Sequence, residues 1–327
     1  MLALLAPGQG AQKPGMLSAW LKINGARELL GDFSSECGLD LERYATVGTA
    51  DQLRDTAVTQ PLLTAAALLS ADLLGDLDGV DVVAGHSVGE LAAASIAGVF
   101  NRMDAVRLAR IRGIAMADAA RHVKTGMSAV VGGPLDTILE RIQESGATAA
   151  NINGARQVVA AGTLEQLATL ADDPKLGAQV IALPVAGAFH TQYMKPAASC
   201  LKSALGGVEV RDPNRALLSN TDGAVVTGAA EAVRRLVWQV SRPVRWDLCV
   251  QTMRTLRVTA IIELCPGGTL TGLVKRELPG VQLLPLRTPD DLPAARAVIA
   301  EHAGFDGHHR RAGVARDVAR VRPGRRP

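Results

Sequence analysis

A serine lies between two glycines at the end of an apolar run, in the segment VVAGHSVGELAAASIAG, residues 82–98. The segment is typical of a buried strand (Asp81–Ala84), a tight turn and a helix that starts at about Val88. In that context Gly-x-Ser-x-Gly predicts a nucleophile elbow, because its glycines permit the turn that lifts Ser87 clear of the sheet. The helix N-terminus favours negative charge that develops beside the serine. We therefore predict that Ser87 is a nucleophile.

A serine hydroxyl needs a base within hydrogen-bonding distance to act as a nucleophile at neutral pH. His190 is the best candidate of the six histidines, because it follows a predicted strand and a glycine-bearing turn in LPVAGAFHTQYMKP. His86 is adjacent to Ser87, where neighbouring side chains diverge, so we interpret it as a supporting residue. The remaining histidines lie in a basic helix end, a polar C-terminal helix or the C-terminal tail: His122, His302, His308 and His309.

The composition excludes some classes of function. The chain has 327 residues and is 48% hydrophobic, which is enough for a substantial core, but only 3% aromatic, which argues against stacking platforms for single-stranded nucleic acid. Residues 306–327 hold seven arginines and two aspartates, a net charge of +5 in a chain whose total is +3. The basic excess therefore belongs to this tail. We interpret it as a disordered extension and predict no nucleic-acid or membrane partner.

The cysteines and apolar segments indicate a cytoplasmic protein. The four cysteines are dispersed, without metal-ligand spacing, which favours reduced thiols and no metal site. The start, MLALLAPGQG, lacks the basic region of a signal peptide. The uncharged, apolar stretch at residues 56–71 contains Gln60 and Pro61, and it suits a buried helix better than a membrane span.

The order of the elements predicts an α/β fold with two parts. A strand at Met1–Ala6 precedes the loop PGQGAQ, and Thr59–Pro61 is the expected start of an apolar central helix. Residues 125–188 follow the order β-α-β-β-α-β, which is the ferredoxin-like pattern. We therefore predict a large α/β-hydrolase-like domain, residues 1–124 and 189–305, with a parallel sheet and the nucleophile elbow. A small ferredoxin-like α+β subdomain is inserted at 125–188.

Several separated motifs then indicate a family. In chain order they are GQGAQ, TQP, GHSVGE, RIRGIAM, NINGARQVV, GAFHTQYMKPA, RPVRW and ELCPGGTLTGLVKR. In order and spacing the chain resembles the malonyl-CoA:acyl carrier protein transacylases, the acyl-loading enzymes of fatty acid and polyketide synthesis. The resemblance implies transfer of malonyl from malonyl-CoA to the phosphopantetheine thiol of acyl carrier protein through a malonyl-serine intermediate. It implies no permanently bound cofactor, and we expect a monomer.

The resemblance also implies roles for single residues. Ser87 takes the acyl group, and His190 serves as base and then as acid. The backbone carbonyl of Gln239 orients the imidazole in place of a carboxylate. The backbone N–H groups of Gln9 and Val88 form the oxyanion hole.

Two further side chains are expected to select the acyl group. Arg112 would bind the free carboxylate of malonate as a bidentate fork, and Phe189 would crowd an α-methyl branch. Gly154-Ala155 departs from the Ser-Pro or Ala-Pro that the family often has there, which leaves any ligand role of the preceding asparagines open. The candidate pocket or supporting residues are His86, Leu91, Met116, Val185, Asn151 and Asn153.

Two other functions stay open on the sequence alone. A serine esterase or thioesterase would use the same elbow with a catalytic carboxylate, and Asp136, Asp172 and Asp173 lie in the right chain order for one. All three fall in the inserted part, where they are poorly placed to reach the base. A non-catalytic homologue that binds carrier protein is the other alternative, and the presence of Ser87, His190 and Arg112 argues against it.

Overall fold

The computed structural model describes residues 1–185 and 187–303. The predicted Arg-rich tail lies outside the described residues. The strands of the described part are β1 (Leu2–Ala6), β2 (Val82–Gly85), β3 (Thr125–Val131), β4 (Thr148–Gly154), β5 (Gln157–Thr163), β6 (Gln179–Ala182), β7 (Ala216–Leu217), β8 (Val244–Arg245), β9 (Ala260–Glu263) and β10 (Gln282–Pro285). Its α-helices are α1 (Ala26–Cys37), α2 (Leu41–Val47), α3 (Thr56–Leu74), α4 (Gly89–Ile96), α5 (Arg102–His122), α6 (Leu135–Glu144), α7 (Leu164–Ala171), α8 (Lys195–Leu205), α9 (Ala229–Val240), α10 (Trp246–Thr255), α11 (Thr269–Glu277) and α12 (Leu292–Ala303).

The larger sheet is parallel and has the strand order β10-β9-β1-β2-β7. Every residue of β1 and β2 is buried, as expected for a parallel sheet that is covered on both faces. The two strands therefore consist of continuous apolar residues rather than an alternating pattern. β2 leads directly into the predicted elbow, so Ser87 lies at the carboxyl edge of this sheet.

The central apolar helix is α3, in which sixteen of the nineteen residues are buried. In the described part of the chain it is the one helix that is long and apolar enough to cross a membrane, and 83% of its apolar window is buried inside the protein. The helix thus has the central position that its composition predicts.

The start of α3 differs from the prediction. The helix begins at Thr56, not Thr59, because the side chain of Asp55 accepts a hydrogen bond from the N–H of Ala57 (2.9 Å) and caps it. Pro61 therefore lies inside the helix, where it has no N–H to offer the carbonyl of Ala57. Arg110 of α5 donates to that carbonyl instead, at 2.6 Å. This contact satisfies the carbonyl that the proline leaves unpaired.

The second sheet has the order β6-β3-β5-β4-β8. Its first four strands are antiparallel, and with α6 and α7 they show the predicted β-α-β-β-α-β connection. Both helices pack on one face of this sheet through apolar side chains such as Ile138 and Leu170. The predicted fold class is confirmed. The sequence did not reveal β8, which comes from outside residues 125–188 and pairs in parallel with β4.

Candidate active site

The turn after β2 has the close contacts of an elbow. Ser87 adopts a φ of +54°, a left-handed conformation that is rare for a residue with a side chain. A Cβ added to Gly85 would lie 2.0 Å from the carbonyl carbon of Gly89, and one added to Gly89 would lie 2.2 Å from the carbonyl oxygen of Ala6. Both flanking positions therefore require glycine. The turn presents Ser87 at the N-terminus of α4.

Ser87, His190 and Gln239 form a hydrogen-bonded chain. The Oγ of Ser87 lies 2.7 Å from Nε2 of His190, and Nδ1 of His190 lies 2.7 Å from the backbone oxygen of Gln239. A carbonyl oxygen can only accept, so Nδ1 carries the proton and Nε2 is left to accept from the serine hydroxyl. This is the arrangement in which an imidazole can remove the serine proton.

The surroundings of His190 keep its imidazole neutral. Burial, together with the positive charge of Arg112, lowers the pKa of His190 to about 3, against the effect of its hydrogen bond to Gln239. At neutral pH the ring is therefore unprotonated and available as a base.

Arg112 reaches the serine from α5 and is only 1% exposed. Its Nη1 donates to Oε1 of Gln60 at 2.6 Å, and its Nη2 donates to Oε1 of Gln239 at 2.7 Å. Nη2 also lies 3.3 Å from the Oγ of Ser87. Both strong partners are neutral amide oxygens, so they satisfy the guanidinium without neutralising it. Burial lowers the pKa of Arg112 to about 10, and the group stays cationic at neutral pH.

A cavity of about 260 Å³ opens in front of Ser87, and its wall is formed by the second sheet, by the loops after β1 and β2, and by residues of α3, α5 and α11. Of the predicted residues, the following line it: Gln9, His86, Ser87, Met116, Asn151, Asn153, Val185, Phe189 and His190. Arg112, Val88, Gln239 and Leu91 are not among the lining residues, and Leu91 is 2% exposed and packs in the core.

Of the two predicted oxyanion donors, one lies in the elbow and the other in the loop after β1. Val88 is the N-cap of α4, so its N–H has no partner within the helix. Gln9 lies on the cavity wall in the loop after β1. Gly8, its neighbour, could not carry a Cβ, which would lie 2.4 Å from the carbonyl oxygen of His86. The loop thus approaches the elbow closely.

His86, the residue before Ser87, connects the elbow to neighbouring elements through Asn153 and Trp246. Its Nε2 lies 2.9 Å from Oδ1 of Asn153, and its ring packs edge-on against Trp246 with a centroid distance of 5.5 Å. Burial lowers the pKa of His86, against the effect of its hydrogen bond to Asn153, and thus favours the neutral ring. The contact to Asn153 joins the elbow to β4 of the second sheet.

Sequence reasoning missed Asn220, which is fully buried beside the elbow. Its Oδ1 accepts from the backbone N–H of Ser87 at 2.8 Å, and its Nδ2 donates to the carbonyl of Gly85 at 2.7 Å. The side chain thus holds both ends of the strained turn. The feature that could have pointed to this residue is its position in the fold, because Asn220 follows β7, the strand next to β2.

Sequence reasoning also missed Gln60, Glu90 and the side chain of Gln239. Gln60 is the middle residue of the TQP motif, and it holds Arg112 from α3. Gln239 was expected to act through its backbone alone, yet its side chain contacts Arg112, Ser87 and Glu90.

The acidic residues of a hydrolase-like triad are not at the base. Asp136 lies on α6 and Asp172 ends α7, while Asp173 lies 3.8 Å from Arg141. The position that a triad carboxylate would occupy, at Nδ1 of His190, holds the backbone oxygen of Gln239. The geometry is that of a dyad.

Comparison with known proteins decides the family. The family model described as an acyl transferase domain matches residues 4–291. The malonyl CoA-acyl carrier protein transacylase of Mycobacterium bovis is 50% identical over 296 residues, which are 89% of this chain and 98% of that protein. The chain belongs to the malonyl CoA-acyl carrier protein transacylase family. It is therefore an acyltransferase.

Solved structures of other members agree with the fold. The crystal structure of the transacylase MCAT from Mycobacterium tuberculosis has a TM-score of 0.88 and 49% identity, and the match covers 90% of this chain and 99% of that one. A malonyl-transacylase solved in complex with its type II PKS acyl-carrier protein has a TM-score of 0.85 and 30% identity, with coverages of 90% and 99%.

We predict that His190→Ala lowers the rate of acylation of this transacylase by at least about 10²-fold, the usual scale of general-base catalysis. Alanine at Asp136, Asp172 or Asp173 should leave the rate within a few-fold, because none of them contacts the base. His122→Ala, which removes an exposed histidine at the end of α5, is the matched control. Pre-steady-state acylation is the measurement. A large loss from one of the three aspartates would contradict the dyad.

Phe189 is expected to select against branched acyl groups in this transacylase. It is 6% exposed and lines the cavity beside His190. Phe189→Ser should raise the methylmalonyl-to-malonyl rate ratio by about 10- to 200-fold, because one extra carbon in an apolar pocket changes the discrimination between two substrates by about that factor. A competition assay with both thioesters measures the ratio. An unchanged ratio would show that Phe189 does not contact the branch.

Proposed function

We propose that this protein transfers a malonyl group from malonyl-CoA to the phosphopantetheine thiol of an acyl carrier protein, by a ping-pong route through malonyl-Ser87. The observation that carries the proposal is one serine oxygen with two neighbours. A neutral imidazole lies 2.7 Å from it, ready to accept its proton, and a buried guanidinium lies 3.3 Å from it. A nucleophile and a fixed cation this close together suit an acyl group with a free carboxylate.

Acylation follows from this geometry. Nε2 of His190 takes the hydroxyl proton as Oγ of Ser87 attacks the thioester carbonyl of malonyl-CoA. The N–H groups of Gln9 and Val88 donate to the oxyanion of the tetrahedral intermediate. Its collapse breaks the C–S bond and releases coenzyme A as a thiolate. The imidazolium of His190 returns the proton to that sulfur, so acylation leaves malonyl-Ser87 and a neutral base.

Deacylation repeats these steps with the carrier's thiol. The thiol gives its proton to His190, and the sulfur attacks the ester carbonyl of malonyl-Ser87. The C–O bond breaks, and His190 returns the proton to Oγ. A neutral carbonyl orients the imidazole but stabilises imidazolium less than a carboxylate would. The dyad suits an activated thioester and an easily ionised thiol.

The free carboxylate of malonyl is assigned to Arg112. Taking a charged carboxylate from water into a narrow cavity is costly unless a fixed, charge-assisted partner replaces its hydration. Arg112 is already desolvated and held in place by Gln60 and Gln239, so little further ordering is needed when the substrate binds.

Intact-mass spectrometry tests this function. Mixing the protein with malonyl-CoA should give a single malonyl adduct, which peptide mapping places on Ser87. Addition of a carrier protein bearing phosphopantetheine should discharge the adduct and give malonyl-carrier. Loss of the adduct to water at the same rate without carrier would instead indicate a hydrolase. Absence of any adduct would exclude the ping-pong route.

We further propose that the division of the chain follows residues 1–124 and 189–305 for the large domain and 125–188 for the small subdomain. The four antiparallel strands β3 to β6 and both covering helices support it. A cytoplasmic site of action is supported by the four free cysteines, of which Cys37, Cys249 and Cys265 are buried.

The docking surface for the carrier is proposed to be basic, because carrier proteins of this family are expected to be acidic. Lys275 and Arg276 are exposed near the end of α11, a helix whose first turns line the cavity, and exposed Lys195 begins α8. Lys275→Glu combined with Arg276→Glu should raise the carrier's KM several-fold at low salt and spare acylation by malonyl-CoA. Steady-state kinetics with each substrate varied measure both. Unchanged carrier kinetics would remove the pair from the interface.

A further inference from the structure

The mechanism above leaves one buried carboxyl group unused. Glu90 lies in the first turn of α4, three residues after Ser87, and is 4% exposed. Its Oε1 accepts from the backbone N–H of Asn220, and its Oε2 accepts from Nε2 of Gln239, both at 2.6 Å. Both oxygens thus face donors. An ionised carboxyl accepts strongly at both oxygens, whereas protonation weakens the acceptor at one of them and the amide of a glutamine would place a donor there.

Gln239 is the residue at which the contacts of the site meet. Its backbone oxygen orients His190, and its Oε1 accepts from Nη2 of Arg112 at 2.7 Å. Its Nε2 donates to the backbone oxygen of Ser87 and to Glu90, each at 2.6 Å. The orientation of this amide decides whether Arg112 meets an acceptor or a donor. Glu90 supplies the only charged acceptor among the partners of Nε2.

We propose that ionised Glu90 is a positioning residue that, through the side-chain amide of Gln239, fixes the guanidinium of Arg112 and thereby sets the preference for an acyl group with a carboxylate. The inference rests on the proposed function, because malonyl selectivity is the property that Glu90 controls. Glu90 does not touch the substrate. It acts on Arg112 through one intervening side chain.

The charges that face Glu90 come from three helices. Arg112 approaches from α5 and Arg235 from α9, and both lower its pKa, as do the hydrogen bonds from Asn220 and Gln239. Cys249 approaches from α10, and burial keeps that thiol neutral by raising its pKa. Burial is the largest influence on Glu90 and raises its pKa to about 7. The ionised form is therefore lost as the pH falls through about 7, while the pKa of His190, about 3, lies well below that range.

The experiment compares kcat/KM for malonyl-CoA and acetyl-CoA from about pH 5.5 to about pH 8.5, a range that brackets the titration of Glu90 but not that of His190. In the unmodified protein the malonyl-to-acetyl ratio should fall as the pH drops below about 7, with acetyl transfer nearly constant. Glu90→Gln should lower the ratio at high pH by about tenfold, the effect of one hydrogen bond to a charged group, and remove its pH dependence.

Asp72→Asn is the matched control. Asp72 is a partly buried carboxyl whose pKa burial also raises, and it pairs with Arg102. It lies twelve residues beyond Gln60 on α3, about 18 Å along the helix axis. The same chemical change there should leave the ratio and its pH profile unaltered.

A flat ratio across this pH range in the unmodified protein would overturn the proposal, and that measurement needs no variant to fold. An equal loss of malonyl and acetyl transfer in Glu90→Gln would also overturn it, since it would indicate a general structural role. The proposed function fails separately, if the unmodified protein transfers no malonyl at all.

Discussion

Ser87→Ala should abolish the malonyl adduct and transfer to carrier protein. The substitution removes a hydroxyl that contacts both Nε2 of His190 and Nη2 of Arg112. Water in its place would be held by the same base and would give at most slow hydrolysis of the thioester. The expected result by intact-mass spectrometry is no covalent species, with malonyl-CoA still bound in the cavity.

Ser95→Ala is the matched control for this variant. Ser95 lies on α4, eight residues after the nucleophile, and its buried Oγ has no hydrogen-bond partner. Its loss should leave the adduct and the thermal stability close to those of the unmodified protein. A covalent malonyl species that persists in Ser87→Ala would show that another residue is the nucleophile.

Arg112→Ala should lower malonyl transfer by roughly 10²-fold or more while acetyl transfer is retained or relatively favoured. The estimate is the penalty for leaving one charge of a buried pair without its partner, here the carboxylate of the substrate. Acetyl carries no carboxylate, so it loses nothing by the change. Arg112→Lys keeps the charge but presents a compact donor that cannot serve Gln60, Gln239 and a carboxylate together, so malonyl transfer should remain low.

A competition assay with both thioesters measures this selectivity directly. Arg107→Ala is the control, because Arg107 lies on the same helix but pairs with Asp104 and Glu36 away from the cavity. It should leave the malonyl-to-acetyl ratio unchanged. Equal losses of malonyl and acetyl transfer in Arg112→Ala would mean that Arg112 is only structural, and the assignment of malonate would lose its main physical support.

The elbow and the ferredoxin-like order could be predicted because their signals are local. Glycines at fixed offsets permit the turn around Ser87, and hydrophobic periods distinguish helices from strands over short windows. The structure also brings His190, Arg112 and Gln239 to Ser87, although the sequence separates them by 25 to 152 residues. Their roles stay predictions that the variants above test.

The buried polar network could not be predicted in the same way. Glu90 belongs to the GHSVGE motif and Asn220 follows a predicted strand, but the contact that explains each comes from a partner about 130 residues away. The predicted start of α3, at Thr59–Pro61, was wrong for a related reason. Proline is common in the first turn of a helix, and only the contact of Arg110 with the carbonyl of Ala57 explains why Pro61 is tolerated further in.

Strand β8 limits how this fold can be re-engineered. It begins five residues after Gln239 and adds to the edge of the second sheet through Val244 and Arg245, beside Asn151 and Ile152 of β4. The ferredoxin-like part is thus joined by backbone hydrogen bonds between β4 and β8 to the segment that orients His190. A chimera in which residues 125–188 are replaced by those of a relative would exchange β4 but keep the original β8, so the two paired strands would come from different proteins. Grafts that carry the β8 segment along with β4 are expected to keep the catalytic geometry, and those that leave it behind are expected to disturb it.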